Sequence, residues 1–204
     1  MTAINKVIKT LIASDFLLQA GWGLIGPIFA IFLTEQIKDG SVATVGFVAA
    51  TYWLTKSLVQ PFIAHYFDRK EGERDDFIFM VAGLYVANLV PIGYLFSNYS
   101  WQIILLEFIR GLAMACFVPA WYAIFTRHID RGWEAFSWSI DSTSIGIAAG
   151  FSAAFGGIVA ASLGFKILFI LVSFFGLLSA SMLLLINRHT FTGNRSDPQN
   201  GPKR

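Results

Sequence analysis

Six apolar runs, each long enough to cross a lipid bilayer, follow one another with only short charged turns between them. They cover roughly 10–34, 42–67, 77–97, 101–126, 133–163 and 165–187. A crossing helix needs about 20 apolar residues. Lipid offers no hydrogen bonds to the backbone, so each run must satisfy its own amides as a helix. The fold class that follows is all-α, a polytopic membrane protein with six transmembrane helices. Charged residues make up only 14% of the chain, against about 25% in a soluble domain. The net charge of +2 comes from anchors between runs, with no basic stripe, so no nucleic-acid partner is expected. Cys116 lies inside an apolar run and implies no disulfide framework. The first run, from about Leu11 to Leu33, is long enough to span, and no small-residue cleavage site follows it.

Lys and Arg set the expected orientation. With the N-terminus inside, eleven of the fifteen fall on inner segments, and only Lys38 and Lys166 on outer loops. Lys56 and Arg110 lie within spans. That bias puts both termini in the cytoplasm, in the cytoplasmic membrane of a bacterium or archaeon. The expected organisation is a cytoplasmic N-terminus at 1–9, a six-helix domain at 10–187 and a disordered cytoplasmic tail at 188–204. The tail is rich in Asn, Gly, Pro and Ser and cannot bury a face. The fifth and sixth runs are separated only by the stretch around Gly164, read as a tight turn. Pro27, Pro61, Pro91 and Pro119 sit within spans, where neighbouring helices can satisfy freed carbonyls.

A charged side chain near the bilayer centre costs about 2.5–3.5 kcal/mol on insertion scales and is a functional candidate by default. Asp15, Lys56, Glu107, Arg110 and Asp141 qualify. Helical spacing puts Asp15, Gln19, Trp22 and Gly26 on one face of the first span, and Trp53, Lys56 and Gln60 on one face of the second. Glu107, Arg110, Met114, Phe117 and Trp121 share a face of the fourth, and Ser137, Asp141, Ser144 and Ala148 a face of the fifth. The expectation is four helices lining a cavity, with the third and sixth outside them. At about 1.5 Å per residue, Asp15 and Asp141 share a level where Lys56 can reach one of them. Glu107 and Arg110 form a pair at i,i+3. Two plainer readings stay open: Asp15 as an interfacial residue on a span that starts a turn later, and Glu107–Arg110 as a structural pair that neutralises itself.

The loop from Ala64 through Asp68, Arg69, Gly72 and Arg74 resembles the second-to-third-helix signature of the major facilitator superfamily, Gly-x-x-x-Asp-Arg-x-Gly-x-Arg-Arg. Ala64 replaces its first glycine, Gly72 is displaced by one, and Arg74 alone remains of the final basic pair. The stretch Glu107 to Ala120 is similar to the family's fourth-helix motif at Gly111, Ala115, Pro119 and Ala120. Glu107 stands at its arginine position and Arg110 at its glutamine position. Gly146 to Ala154 resembles the antiporter signature, with Phe151 in place of its proline, and Gly21 to Pro27 looks like the first helices of drug-exporter branches. The resemblance implies the N-terminal six-helix half of a major-facilitator-type bundle. It implies a secondary transporter of a small organic solute, proton-coupled and drug-efflux-like, with Asp68, Arg69, Gly72 and Arg74 as a conformational-switch loop.

Family members have twelve helices in two halves. A lone half exposes a polar face to lipid, so the expected assembly is a parallel homodimer, with Gly146 and Gly150 as helix-packing positions. The expected partners are the lipid bilayer, the solute and protons. The alternatives are a non-transporting scaffold or scrambling protein that kept the fold, and one half of a split transporter. An enzyme is not expected: His65, His128 and His189 sit at span ends, and no serine–histidine pair, metal-ligand spacing or nucleotide-binding loop is present. No cofactor and no metal are called for.

Overall fold

The computed structural model describes residues 5–69 and 73–190, with side chains through 186. Six helices account for nearly all of it: α1 (Lys6–Ile25), α2 (Phe29–Glu35), α3 (Val42–Arg69), α4 (Arg74–Tyr94), α5 (Ser100–His128) and α6 (Glu134–Thr190). No strand occurs among the described residues. Five stretches are long and apolar enough to cross a membrane: Lys6–Glu35, α3, α4, α5 and Glu134–Ile186.

The run expected to span at 10–34 is one such stretch, and it is built of two helices. The chain turns at 26–28, where Pro27 has no N–H to donate and its ring crowds the preceding turn. Pro61, Pro91 and Pro119, by contrast, lie inside α3, α4 and α5. Helix starts follow local chemistry. Asn5 Oδ1 accepts the Val7 amide at 3.0 Å, and Ser41 Oγ the Thr44 amide at 3.2 Å, each quenching a donor that the first turn leaves unpaired. At α5, Gln102 Oε1 reaches back to the amides of Asn98 and Tyr99, at 2.7 and 3.1 Å.

Within α6 only Gly164 departs from helical geometry, at φ 81° and ψ 169°. Residues with a side chain rarely adopt that conformation, which glycine reaches without strain. The departure reverses the chain. Before it, a first arm (134–163) runs alongside α1: a Cβ on Gly23 would press on Ala149 and Ser152, and one on Gly156 on Leu24. After it, a second arm (165–190) runs against α1. Ser14 Oγ lies 2.9 Å from Ser179 Oγ, Gly21 faces Val172 and Phe175, and the Phe32 ring meets Phe169 edge-on at 4.7 Å. The expected tight turn is thus a single glycine.

α1 packs against α6, α3 against α5, and α4 against both α5 and α6. Two apolar clusters hold this arrangement, one around Leu11, Met80, Leu84, Phe125 and Leu183, the other around Leu33, Tyr94, Ile103, Leu168 and Phe169. At the Lys6 end, Arg127 Nη1 pairs with Asp76 Oδ2 at 2.5 Å, tying the end of α5 to the first turn of α4. At the opposite end Asp39 accepts the Ser100 amide at 2.7 Å and its hydroxyl at 2.9 Å, fixing the α2–α3 turn to the start of α5. Those bonds, the backbone one first, hold the Asp39 carboxyl below the usual carboxylate range.

Gly72 and residues 191–204 of the expected tail lie outside the described residues. Asp68, Arg69 and Arg74 are exposed at the Lys6 end.

Candidate functional site

Two cavities meet along the inner faces of α1, α3 and α5. They share Leu18, Gln19, Tyr52, Trp53 and Met114 on their walls. The first, about 470 Å³, reaches toward the Asp39 end between α1, α2, α3 and α5, and is lined by Trp22, Gly26, Phe29, Glu107 and Arg110. The second, about 310 Å³, reaches toward the Lys6 end and adds the first arm of α6. Its wall carries Asp15, Lys56, Trp121, Trp138 and Asp141. The four apolar runs expected to line a cavity do line these two.

Close approach of α3 to α5 makes the first cavity. A Cβ on Gly111 would fall 2.9 Å from Thr55 Cβ and 3.0 Å from the Tyr52 carbonyl oxygen, so glycine lets Tyr52 reach the α5 face. There the Arg110 guanidinium lies 3.6 Å from the Tyr52 ring centroid and 4.4 Å from that of Trp22. Its Nε and Nη2 donate to Glu107, the shortest at 2.5 Å. The Tyr94 hydroxyl donates to the same carboxylate. Trp22 in turn donates Nε1–H to Asn88 Oδ1 at 3.0 Å, and Asn88 donates to the Leu84 carbonyl at 2.8 Å. Glu107 is 1% exposed, so a carboxylate there needs these donors. The i,i+3 pair expected from sequence is present. Tyr94, Tyr52 and Asn88, which complete it, were not singled out; two of them sit on the charge-poor third run, which gave no signal.

The second cavity is less settled electrostatically. Asp15 is 9% and Asp141 4% exposed. Asp15 lies nine residues into α1, about 13 Å along the helix axis. Lys56 makes no ion pair with either carboxylate among the described residues; its Nζ lies 5.1 Å from the Trp53 ring centroid. Asp141 Oδ1 and Trp121 Nε1 are buried without a hydrogen-bond partner. Gln60 lines neither cavity. Gly146 and Gly150 face open space, with nothing within 4 Å of a Cβ built on either. No group of three or more His, Cys, Asp or Glu is placed to hold a metal among the described residues.

Polar stripes from otherwise apolar helices wall both cavities. The family model of the Major Facilitator Superfamily matches residues 11–203. The chain belongs to that superfamily. Its members are membrane transporters and not enzymes, and the long apolar helices of this chain make it a multi-pass membrane protein. No curated protein matches the chain.

Proposed function

We propose that the chain is a proton-coupled secondary transporter of a small amphipathic organic solute, of the drug-efflux kind, built as a parallel homodimer around a central path. The observation that carries this reading is the second cavity, where two buried carboxylates and an unpaired lysine share one wall. A coupled carrier needs a carboxyl that trades a proton for a cationic neighbour between states. Asp15 is the leading candidate and Asp141 the next, with Lys56 as the cation. Glu107 is the poorest candidate, because Arg110 and Tyr94 already occupy it.

Six crossings with both termini cytoplasmic are supported by the reversal at Gly164 and by the inner bias of Lys and Arg. A second copy is supported by what α3 and the first arm of α6 leave uncovered. Leu58 and Phe62 on α3 are 68% and 78% exposed, Phe151 and Ile158 on the arm 67% and 63%. Gly146 and Gly150 add a small-residue row that admits a close helix. In such a dimer the exposed Asp68, with Arg69 and Arg74, sits where the loop can meet the partner's first arm near Trp133 and switch with the transport cycle.

The test is proton movement in proteoliposomes loaded with a pH-sensitive dye. Adding amphipathic solutes should dissipate an imposed pH gradient only when protein is present. A panel of such solutes that leaves the gradient untouched would count against the reading.

A further inference from the structure

We propose that the groove where α1 meets both arms of α6 holds an anionic phospholipid, its phosphate at Lys9 and one acyl chain along the helices. The inference is independent of the proton coupling and the dimer argued above. It shares with that reading only the orientation of the chain, which the experiment below does not use.

The groove lies between Ile12 and Phe16 on α1, Ile140 and Ser144 on the first arm and Met182 on the second. It shares no wall residue with either polar cavity. Its volume of about 480 Å³ falls inside the ~300–1,000 Å³ of small-molecule sites. Among the described residues Lys9 is the one charged group on its wall, and all the others except Ser144 are apolar. From Lys9 to Leu17 the wall follows α1 for eight residues, about 12 Å.

Position says what surrounds the groove. It belongs to stretches long and apolar enough to cross a membrane, Lys6–Glu35 and Glu134–Ile186, so lipid is the medium at its wall. Lys9 stands three residues after the start of α1. At such a place a long basic side chain lays its stem on apolar surface and carries its charge to the headgroups.

Charge says which lipid. Lys6 and Lys9, three residues apart, share a face of α1. Both are exposed, and neither has an ion-pair partner among the described residues. Glu134, at the start of the first arm, accepts the Gly132 amide at 3.1 Å and stands off the groove wall. A phosphate at the mouth thus meets ammonium groups and no lining carboxylate. A groove of nearly the same volume between α4 and α5, about 470 Å³ and lined by Phe79, Ile109 and Cys116, carries no charged side chain. It offers a wall to any acyl chain and nothing to a headgroup. Gly146, two residues beyond Ser144, does not share its face, so the glycine row offered to a second copy lies off this wall.

The experiment is native mass spectrometry of the full chain in detergent micelles, titrated with phosphatidylglycerol or with phosphatidylcholine of the same acyl chains. It reads the affinity of the first bound lipid. Phosphatidylglycerol should bind at least about fivefold tighter. Lys9→Gln should lose about fivefold of that affinity, the contribution of one basic residue near an anionic headgroup, and leave phosphatidylcholine unchanged. Lys9→Arg should keep it. Lys166→Gln, exposed near the opposite end, should leave both lipids at parental affinity. Ala13→Phe narrows the groove without changing charge and should weaken both lipids. Equal affinity for the two lipids, parental phosphatidylglycerol affinity in Lys9→Gln or in Ala13→Phe, or an equal loss in Lys166→Gln overturns the inference. Should Ala13→Phe not fold, Lys9→Gln against Lys166→Gln decides. Absence of lipid selectivity with gradient-driven transport intact sinks this site and spares the transporter reading. Selectivity lost in Lys9→Gln, with no gradient-driven transport in the parental chain, does the reverse.

Discussion

The Arg110 guanidinium carbon lies 3.6 Å from the centroid of the Tyr52 ring, so it holds α5 to α3 at a residue that lines both cavities. Glu107 holds the charge in place from the same helix, with Nη2–Oε2 at 2.5 Å. Removing one member of a buried pair leaves the other uncompensated, at about 3–5 kcal/mol, whereas an apolar replacement of both is often near neutral. Arg110→Met should therefore lower the unfolding temperature sharply. Glu107→Leu/Arg110→Met should recover most of the loss, short of what Tyr94 forfeits by losing its acceptor. Thermal unfolding followed by tryptophan fluorescence gives the comparison. Additive losses would show that the pair is not coupled.

Gly164 carries the reversal of α6 in a backbone conformation that L side chains rarely adopt. Gly164→Ala should destabilise the fold by about 1–3 kcal/mol, while leaving room for the methyl, since nothing lies within 4 Å of its Cβ. Cysteines placed at Lys38, Arg131 and Lys166 test the topology that follows. An impermeant maleimide added from outside should label positions 38 and 166 and spare 131.

Much of this arrangement is legible in the chain. The apolar runs give the helices, and the polar stripes at helical spacing pick out the four that line the cavities. What stayed hidden depends on partners that come together only on folding. The third run carries almost no charge, yet its Asn88 and Tyr94 complete the Trp22 and Glu107 contacts. The Asp76–Arg127 bridge joins residues far apart in the chain, and neither stands inside an apolar run where it would draw notice. The break at 26–28 falls at Pro27, but proline also lies inside a helix at three other positions, so the residue type alone does not tell a break from an uninterrupted helix. The level shared by Asp15 and Asp141 puts Lys56 within reach of one of them, and its ammonium lies over Trp53, a choice among partners that spacing alone does not decide.

Asp39 ties the α2–α3 turn to α5 through Ser100. Its carboxyl is held below the ordinary value of about 3.9, chiefly by the Ser100 amide. The stability it lends is fully present above that ordinary value and is lost as pH falls through the lower folded one. Asp39→Asn should thus lower the unfolding temperature at pH 7, and the difference should shrink as pH falls below the ordinary carboxylate range. A difference that grows toward acid would contradict the contact.

Among the described residues nothing lies within 4 Å of a Cβ built on Gly146 or Gly150. Substituting Leu at either should leave the unfolding temperature of a single chain unchanged while weakening association, because it holds the opposing backbone away. Light scattering in nanodiscs reads the mass. A dimer that persists through Gly146→Leu/Gly150→Leu would place the contact elsewhere.

The central claim is that Asp15, buried in the wall it shares with Lys56 and Asp141, is the group that couples protons to the solute. The direct measurement is solute flux into proteoliposomes under an imposed pH gradient, for the parental chain and for Asp15→Asn. The account predicts that Asp15→Asn abolishes gradient-driven accumulation while the protein still folds and assembles. Flux at the parental rate with unchanged pH dependence in Asp15→Asn would contradict it and move the assignment to Asp141.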